Sequence, residues 1–197
     1  MLKGMNITVG PLETNCYLVY DEADSVCVII DPGEEALTIL DVLRTLKLDA
    51  QAILLTHTHF DHIGAVRMIQ DALDIPVYVN PNETNIKDSW KNVHLVNDGD
   101  KLTIGKLTYE FLLTPGHSEG SMCIKVDETI FSGDTLFREN CGRCDLPGGD
   151  YKQMLKSLKR LSLISGNFAV FPGHGPKTTL NYERMNNPYM RESRYAN

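Results

Sequence analysis

Three imidazoles and a carboxylate fall within six residues in Thr56-His57-Thr58-His59-Phe60-Asp61-His62, directly after the apolar run Ala52-Ile53-Leu54-Leu55. Further along come His117 in Pro115-Gly116-His117-Ser118, Asp134 in Ser132-Gly133-Asp134-Thr135, and His174 in Pro172-Gly173-His174-Gly175. Five of the six histidines occupy these places, and the sixth, His94, reads as an ordinary core or surface residue. Imidazole with carboxylate suits a transition metal such as Zn, Fe, Mn or Ni, whereas Ca or Mg would call for an oxygen cage. The seven groups exceed the four of a closed structural zinc site. They suit two ions with three ligands each and one shared carboxylate. Two ions about 3.5–4 Å apart can hold a hydroxide between them and polarise a substrate carbonyl, which makes hydrolysis the expected chemistry.

The elements that must position these groups can be read from the pattern. Ala52 to Thr56 reads as a buried strand, an apolar run bounded by polar residues. Residues i and i+2 of an extended segment point to one side, so His57 and His59 can grip one ion. Asp61 stands where a helix begins before Ile63, Val66, Ile69 and Leu73, and from there Asp61 and His62 turn toward a second ion. Strand-like runs at Tyr109 to Thr114, Thr129 to Ser132 and Phe168 to Phe171 precede His117, Asp134 and His174, with Gly or Pro-Gly between, as at a tight turn. Elsewhere the pattern predicts strands at Cys16 to Tyr20, Val26 to Asp31 and Val77 to Asn80, and a hairpin of Lys101 to Ile104 with Leu107 to Thr114. Helices are predicted at Ala36 to Leu46, Asp61 to Leu73 and Tyr151 to Leu163. The interleaving gives a mixed α/β (α+β) class, sheet with helices outside.

Composition bounds the rest. An apolar fraction of 42% supports a sizeable core, and the length suits one domain over residues 1–197. No segment approaches the ~18 consecutive apolar residues of a membrane span. Met1 to Asn6 lacks the hydrophobic region of a signal peptide. Five cysteines without framework spacing fit a reducing compartment, so a cytoplasmic protein with no membrane partner is expected. A net charge of −7 without Lys/Arg runs argues against nucleic-acid binding. Cys141 and Cys144 form a CxxC, read as small residues on the loop that carries Arg143 rather than as a redox pair. Phe60, Phe137, Tyr151, Tyr182 and Tyr189 are candidates to line a cleft or to pack. No pattern distinguishes monomer from homo-oligomer.

The HxHxDH string with its later ligands, together with Thr14-Asn15-Cys16-Tyr17, Asp31-Pro32-Gly33 and Pro172-Gly173-His174-Gly175-Pro176, resembles the metallo-β-lactamase-fold hydrolases. Within them the chain is similar to the short glyoxalase II-like (hydroxyacylglutathione hydrolase-like) group, whose GRxDxPGGD stretch resembles Gly142 to Asp150. The resemblance implies a four-layer αβ/βα sandwich with the metals at one edge. It places His57, His59 and His117 on metal 1, Asp61, His62 and His174 on metal 2, and Asp134 between them. Two divalent ions are implied, zinc first, with iron or manganese as alternatives.

Asp61 and Asp134 are expected to position a metal-bridging hydroxide that attacks a small-molecule thioester such as S-D-lactoylglutathione. Arg143 is the expected contact to a substrate carboxylate, with a structural pair to Asp145 or Asp150 as its other role. Two departures from two-domain glyoxalase II are expected: no helical C-terminal glutathione-binding domain, and Gly175-Pro176 where Glu-Tyr follows the last metal histidine. Gly142-Arg143-x-Asp145 is shared with persulfide dioxygenases, so a mononuclear iron oxidoreductase is the alternative expectation.

Overall fold

In the strands of the first half of the chain, alternate residues join two different apolar layers. Cys16, Leu18, Cys27, Ile29, Ile53 and Leu55 pack in one cluster, whereas Tyr17, Val19, Val28, Ile30, Ala52 and Leu54 pack in another. Successive side chains of a strand point to opposite faces, so a sheet with two buried faces must have a layer on each side. The computed structural model, which describes residues 2–196, has this arrangement.

The chain runs β1 (Leu2–Val9), β2 (Thr14–Asp21), β3 (Val26–Ile30), α1 (Ala36–Leu46), β4 (Asp49–Leu54), α2 (Phe60–Ile63), α3 (Val66–Leu73), β5 (Val77–Val79) and β6 (Val93–Leu95). It continues through β7 (Lys101–Ile104), β8 (Leu107–Leu113), β9 (Met122–Val126), β10 (Thr129–Gly133), β11 (Leu136–Phe137), β12 (Asn140–Cys141) and α4 (Tyr151–Ser162). The last elements are β13 (Ala169–Pro172), β14 (Thr178–Thr179), α5 (Leu180–Asn186) and α6 (Pro188–Ser193). Strands β1 to β6 form one sheet in sequence order, antiparallel as far as β3 and parallel from β3 to β6. The second sheet has the order β14-β13-β10-β9-β8-β7, with β13 parallel to β10.

Three layers of apolar packing hold these parts together. Ala36, Ile39 and Leu43 of α1 and Val66 and Ile69 of α3 cover the outer face of the first sheet. Tyr109, Phe111, Met122, Ile124 and Phe131 meet the first sheet's inner face. Met154, Leu158 and Leu161 of α4, with Leu180 and Met190, cover the outer face of the second sheet. Burying each such large side chain contributes about 1.5–3 kcal/mol. The layers are therefore helix, sheet, sheet, helix, the αβ/βα sandwich.

The structure departs from the expected elements in a few places. The helix expected from Asp61 to Leu73 is two helices, α2 and α3. At the break Ala65 N–H donates to the Pro32 carbonyl (3.0 Å), and a Cβ on Gly64 would lie 2.3 Å from the Gly33 carbonyl oxygen. The strand expected at Ala52 to Thr56 begins earlier, at Asp49, and ends at Leu54. Edge strand β1 and helices α5 and α6 were not expected at all. Among the described residues, no helix is long and apolar enough to cross a membrane.

Helix α4 starts where Pro147-Gly148-Gly149-Asp150 ends. Asp150 is its N-cap, with Oδ1 accepting from the N–H groups of Lys152 (2.7 Å) and Gln153 (3.1 Å). Asp150→Ala should therefore cost about 1 kcal/mol of stability, read as a lower urea midpoint at unchanged slope. An unchanged midpoint would mean that the cap contributes nothing.

Candidate metal centre

The seven groups singled out in the sequence lie at the carboxyl ends of four strands. His57, His59, Asp61 and His62 follow β4, His117 follows β8, Asp134 follows β10 and His174 follows β13. In open α/β sheets this edge is where ligands bind, because chains leaving the sheet there can converge on a crevice.

They converge as two triads. The ligand atoms of His57, His59 and His117 lie within 4.8 Å of one another, with Nδ1 of His59 2.7 Å from Nε2 of His117. In the second triad Oδ2 of Asp61 is 3.5 Å from Nε2 of His62 and 3.2 Å from Nε2 of His174, and the two imidazole nitrogens are 3.4 Å apart. A tetrahedral site with ~2.1 Å bonds has edges of about 3.4 Å, so this triangle has the size of one face of such a site. Asp134 stands between the triads. Its Oδ1 is 3.5 Å from Nε2 of His62, and its Oδ2 is 3.4 Å from Nε2 of His117 and 3.6 Å from Nε2 of His174.

Two observations test whether these residues fit metal ions. First, among the described residues Nε2 of His57 and Oδ1 of Asp134 are buried without a hydrogen-bond partner. An unsatisfied buried polar atom costs about 1–3 kcal/mol, and a bound cation removes that penalty for both. Second, the nitrogens facing away from the centre are fixed. Nδ1–H donates to Thr56 Oγ1 in His57 (3.1 Å), to Asp31 Oδ2 in His62 (3.1 Å), to the Arg143 carbonyl in His117 (2.8 Å) and to the Leu12 carbonyl in His174 (2.9 Å). Such contacts set the tautomer and leave Nε2 free to coordinate. Asp31 also lies close to His57 and His62. Its oxygens already accept from Thr56 N–H (2.8 Å), Thr56 Oγ1 (2.6 Å) and His62, so it orients ligands rather than joining them. The close packing leaves no room at Gly173, where a Cβ would lie 2.2 Å from Oδ1 of Asp134.

The electrostatics are those of a centre built for positive charge. Burial, with the neighbouring imidazoles, holds His57 well below the usual histidine range, in the neutral form that binds metal. Burial pulls His62 down too, but the carboxylates of Asp134, Asp31 and Asp61 outweigh it and push the value up to about 9. His174 is likewise raised, the lowering by burial being outweighed by Asp61 and Asp134. With its value near 9, His62 holds its proton at neutral pH, so an ion entering the second triad must displace it. Zn(II) affinity should therefore tighten by about tenfold per pH unit for each displaced proton as pH rises from about 6 to 9. Calorimetry in buffers of different ionisation enthalpy counts those protons, and a pH-independent affinity would contradict this account.

The remaining expected site residues behave differently. The Arg143 guanidinium is exposed and already holds Asp145 through two bonds, Nε to Oδ1 (2.7 Å) and Nη2 to Oδ2 (2.8 Å). What Arg143 gives the centre is its carbonyl, on His117. Burial pushes the Cys141 thiol up to about 12 and raises Cys144 as well, and both pack against the third apolar cluster. They lack the lowered thiol of a redox pair. Of the candidate aromatics, Phe60 is exposed beside the centre and Phe137 has its ring 6.3 Å from that of His174. Tyr151 and Tyr182 bond Glu192 and Glu139, and Tyr189 packs in the third cluster. Asp31 was missed as a site residue. Asp31-Pro32-Gly33 stood out as part of the family resemblance, and the Asp31 partner Thr56 is far along the chain.

The family model of the metallo-beta-lactamase superfamily matches residues 9–174. The probable metallo-hydrolase YqgX of Bacillus subtilis (strain 168) is 36% identical, the alignment covering 96% of this chain and 98% of that protein. Among solved structures, TTHA1623 in a di-iron-bound form superposes with a TM-score of 0.84 at 40% identity, covering 94% of this chain and 99% of the other. The BLEG-1 B3 metallo-beta-lactamase superposes with a TM-score of 0.83 at 37% identity, covering 96% and 99%.

Proposed function

Since this chain belongs to the metallo-beta-lactamase superfamily and is a metal-dependent hydrolase, we propose that it cleaves thioesters in the manner of the short glyoxalase II-like group. The observation that carries the reading is a complete two-ion ligand set with a cleft beside each triad. In it His57, His59 and His117 would hold one ion, Asp61, His62 and His174 the other, with Asp134 shared. Zinc is the metal we propose; the related TTHA1623 structure holds iron. When bound, two such ions supply an activated water and an electrophile for the carbonyl oxygen. The protein's part is to orient. Thr14 Oγ1 donates to Asp61 Oδ2 (3.1 Å), so the carboxylate keeps one face toward the centre, and Asp134 presents an oxygen to each triad.

The clefts suggest how a long substrate lies. One, of about 410 Å³, runs along Phe137, Asn140 and His174. The other, of about 510 Å³, runs from His59 along Phe60, Arg67, Lys87 and Trp90, and no carboxylate lines it. In a chain of net charge −7 that is a local excess of cations. Arg67 is already bonded to Asp71 (2.8 Å) and to the Ser89 carbonyl. Lys87 is exposed, and among the described residues its ammonium pairs with no carboxylate. With ions held by the two triads, the acyl group would lie beside them, and a peptide-like anionic thiol carrier such as glutathione would extend along the His59 cleft. We keep Arg143 as a second contact, reached only by displacing Asp145.

The metal-loaded protein should hydrolyse S-D-lactoylglutathione without oxygen, releasing a free thiol. Oxygen uptake with glutathione persulfide and no thioester cleavage would overturn the reading. Faster opening of a β-lactam ring would move the chain toward the lactamase relative.

The carrier site has its own test. Lys87→Glu should lower kcat/KM for the glutathione thioester roughly tenfold, ~1.4 kcal/mol, through KM. A thioester of a neutral thiol should be unaffected. Arg143→Ala should cost less than Lys87→Glu, because Asp145 already fills its fork. Equal losses with both carriers would remove Lys87 from carrier recognition.

A further inference from the structure

Glu83 lies in the turn after β5, is buried, and is no part of either triad. Four donors converge on its carboxylate. Oε2 accepts from the backbone N–H (2.7 Å) and the hydroxyl (2.6 Å) of Thr58, and Oε1 accepts from the Ser118 hydroxyl (2.5 Å) and the Gly120 N–H (3.1 Å). Thr58 stands between His57 and His59, and Ser118 directly follows His117. One carboxylate therefore joins the two loops that carry the first triad. Asn85 N–H also donates to Thr58 Oγ1 (3.2 Å), extending the tie into the same turn. The fit is close, since a Cβ on Gly120 would lie 2.8 Å from the Glu83 side chain. No bond from Glu83 reaches the segments of Asp61, His62 or His174 among the described residues.

We propose that Glu83 is a positioning residue for the first metal ion. It holds the His57–His59 loop and the His117 loop at the separation that lets three imidazoles share one ion. It acts through Thr58 and Ser118 and does not touch the reacting groups. A buried carboxylate with four donors is strongly held, because bonds to a charged acceptor are roughly twice as strong as neutral ones. Loss of one acceptor oxygen would let the loops separate without disturbing the apolar layers. The inference rests on the two-ion reading of the centre and not on the thioester.

The test uses the full chain and Zn(II) in competition with a chelator of known affinity. His117→Ala and His174→Ala identify which binding phase belongs to which triad. Glu83→Gln keeps the shape but replaces an acceptor oxygen with an NH2 group. It should weaken the first-triad phase about 10–100-fold and leave the second within about threefold. With Co(II) in place of zinc, the visible spectrum of the first-triad ion should change and that of the second should not. Equal weakening of both phases with a lowered Tm would make Glu83 a general structural residue and overturn the inference, as would no change in either phase. If Glu83→Gln does not fold, Ser118→Ala removes a single donor and should still weaken the first phase selectively; failure to do so overturns the inference. A wild-type chain with one phase only would fault the two-ion reading, and Glu83 is then scored on whether Glu83→Gln weakens that phase as His117→Ala does.

Discussion

Each triad takes two groups from the first sheet and one from the second. His57 and His59 meet His117, and Asp61 and His62 meet His174. The centre therefore exists only if the two sheets are in register at this edge to within a fraction of an ångström. Apolar packing between the sheets supplies cohesion but no direction. Direction comes from hydrogen bonds between the sheets beside the centre. Asn15 N–H donates to the Gly173 carbonyl (2.7 Å), Met122 N–H to the Thr56 carbonyl (2.8 Å), and the Tyr17 hydroxyl to the Pro172 carbonyl (2.6 Å). Each of these bonds lies within two residues of a ligand or of a ligand-bearing turn. The sandwich and the centre are thus one problem with one solution.

Behind the ligands stand two carboxylates of a different kind. Asp31 faces the second triad through His62 and the start of the histidine loop through Thr56, while Glu83 faces the first through Thr58 and Ser118. Together they fasten Thr56 and Thr58, the two residues that flank His57. The converging imidazoles are held by backing carboxylates whose oxygens are already engaged in hydrogen bonds. This separates the cost of orienting an imidazole from the act of coordination, so the free edge of each ring needs no further constraint.

Much of this was legible in the chain. The positions of the seven converging groups are visible because histidine is rare and five of the six histidines follow strand-like runs, often with glycine between. Strands β2, β3 and β4 are visible because both faces are buried, giving dense apolar runs, and helix α1 agrees with its expected limits. What was hidden depends on partners distant in sequence. The break at Gly64-Ala65 is made by carbonyls of Pro32 and Gly33, which no local periodicity reports. Strand β1 is a half-exposed edge, so its alternation is weak. For Arg143 the sequence left two roles open, a contact to a substrate carboxylate and a pair with Asp145 or Asp150, and the pair with Asp145 is formed here.

The parallel pairing of β13 with β10 bears on the order in which the two triads are assembled during synthesis. The histidine-rich loop is translated first and emerges with four donors already grouped, well before His117, Asp134 or His174 exist. The strand that carries His174 reaches its place only after the chain has made the crossover through α4. Long-range parallel pairing is a late event in folding, because loop closure must precede its reward. An ion caught by the early loop alone would lack its third partner in either triad and exchange freely. The first triad is therefore complete once the His117 loop is in place, whereas the second waits for the strand that carries His174 to dock.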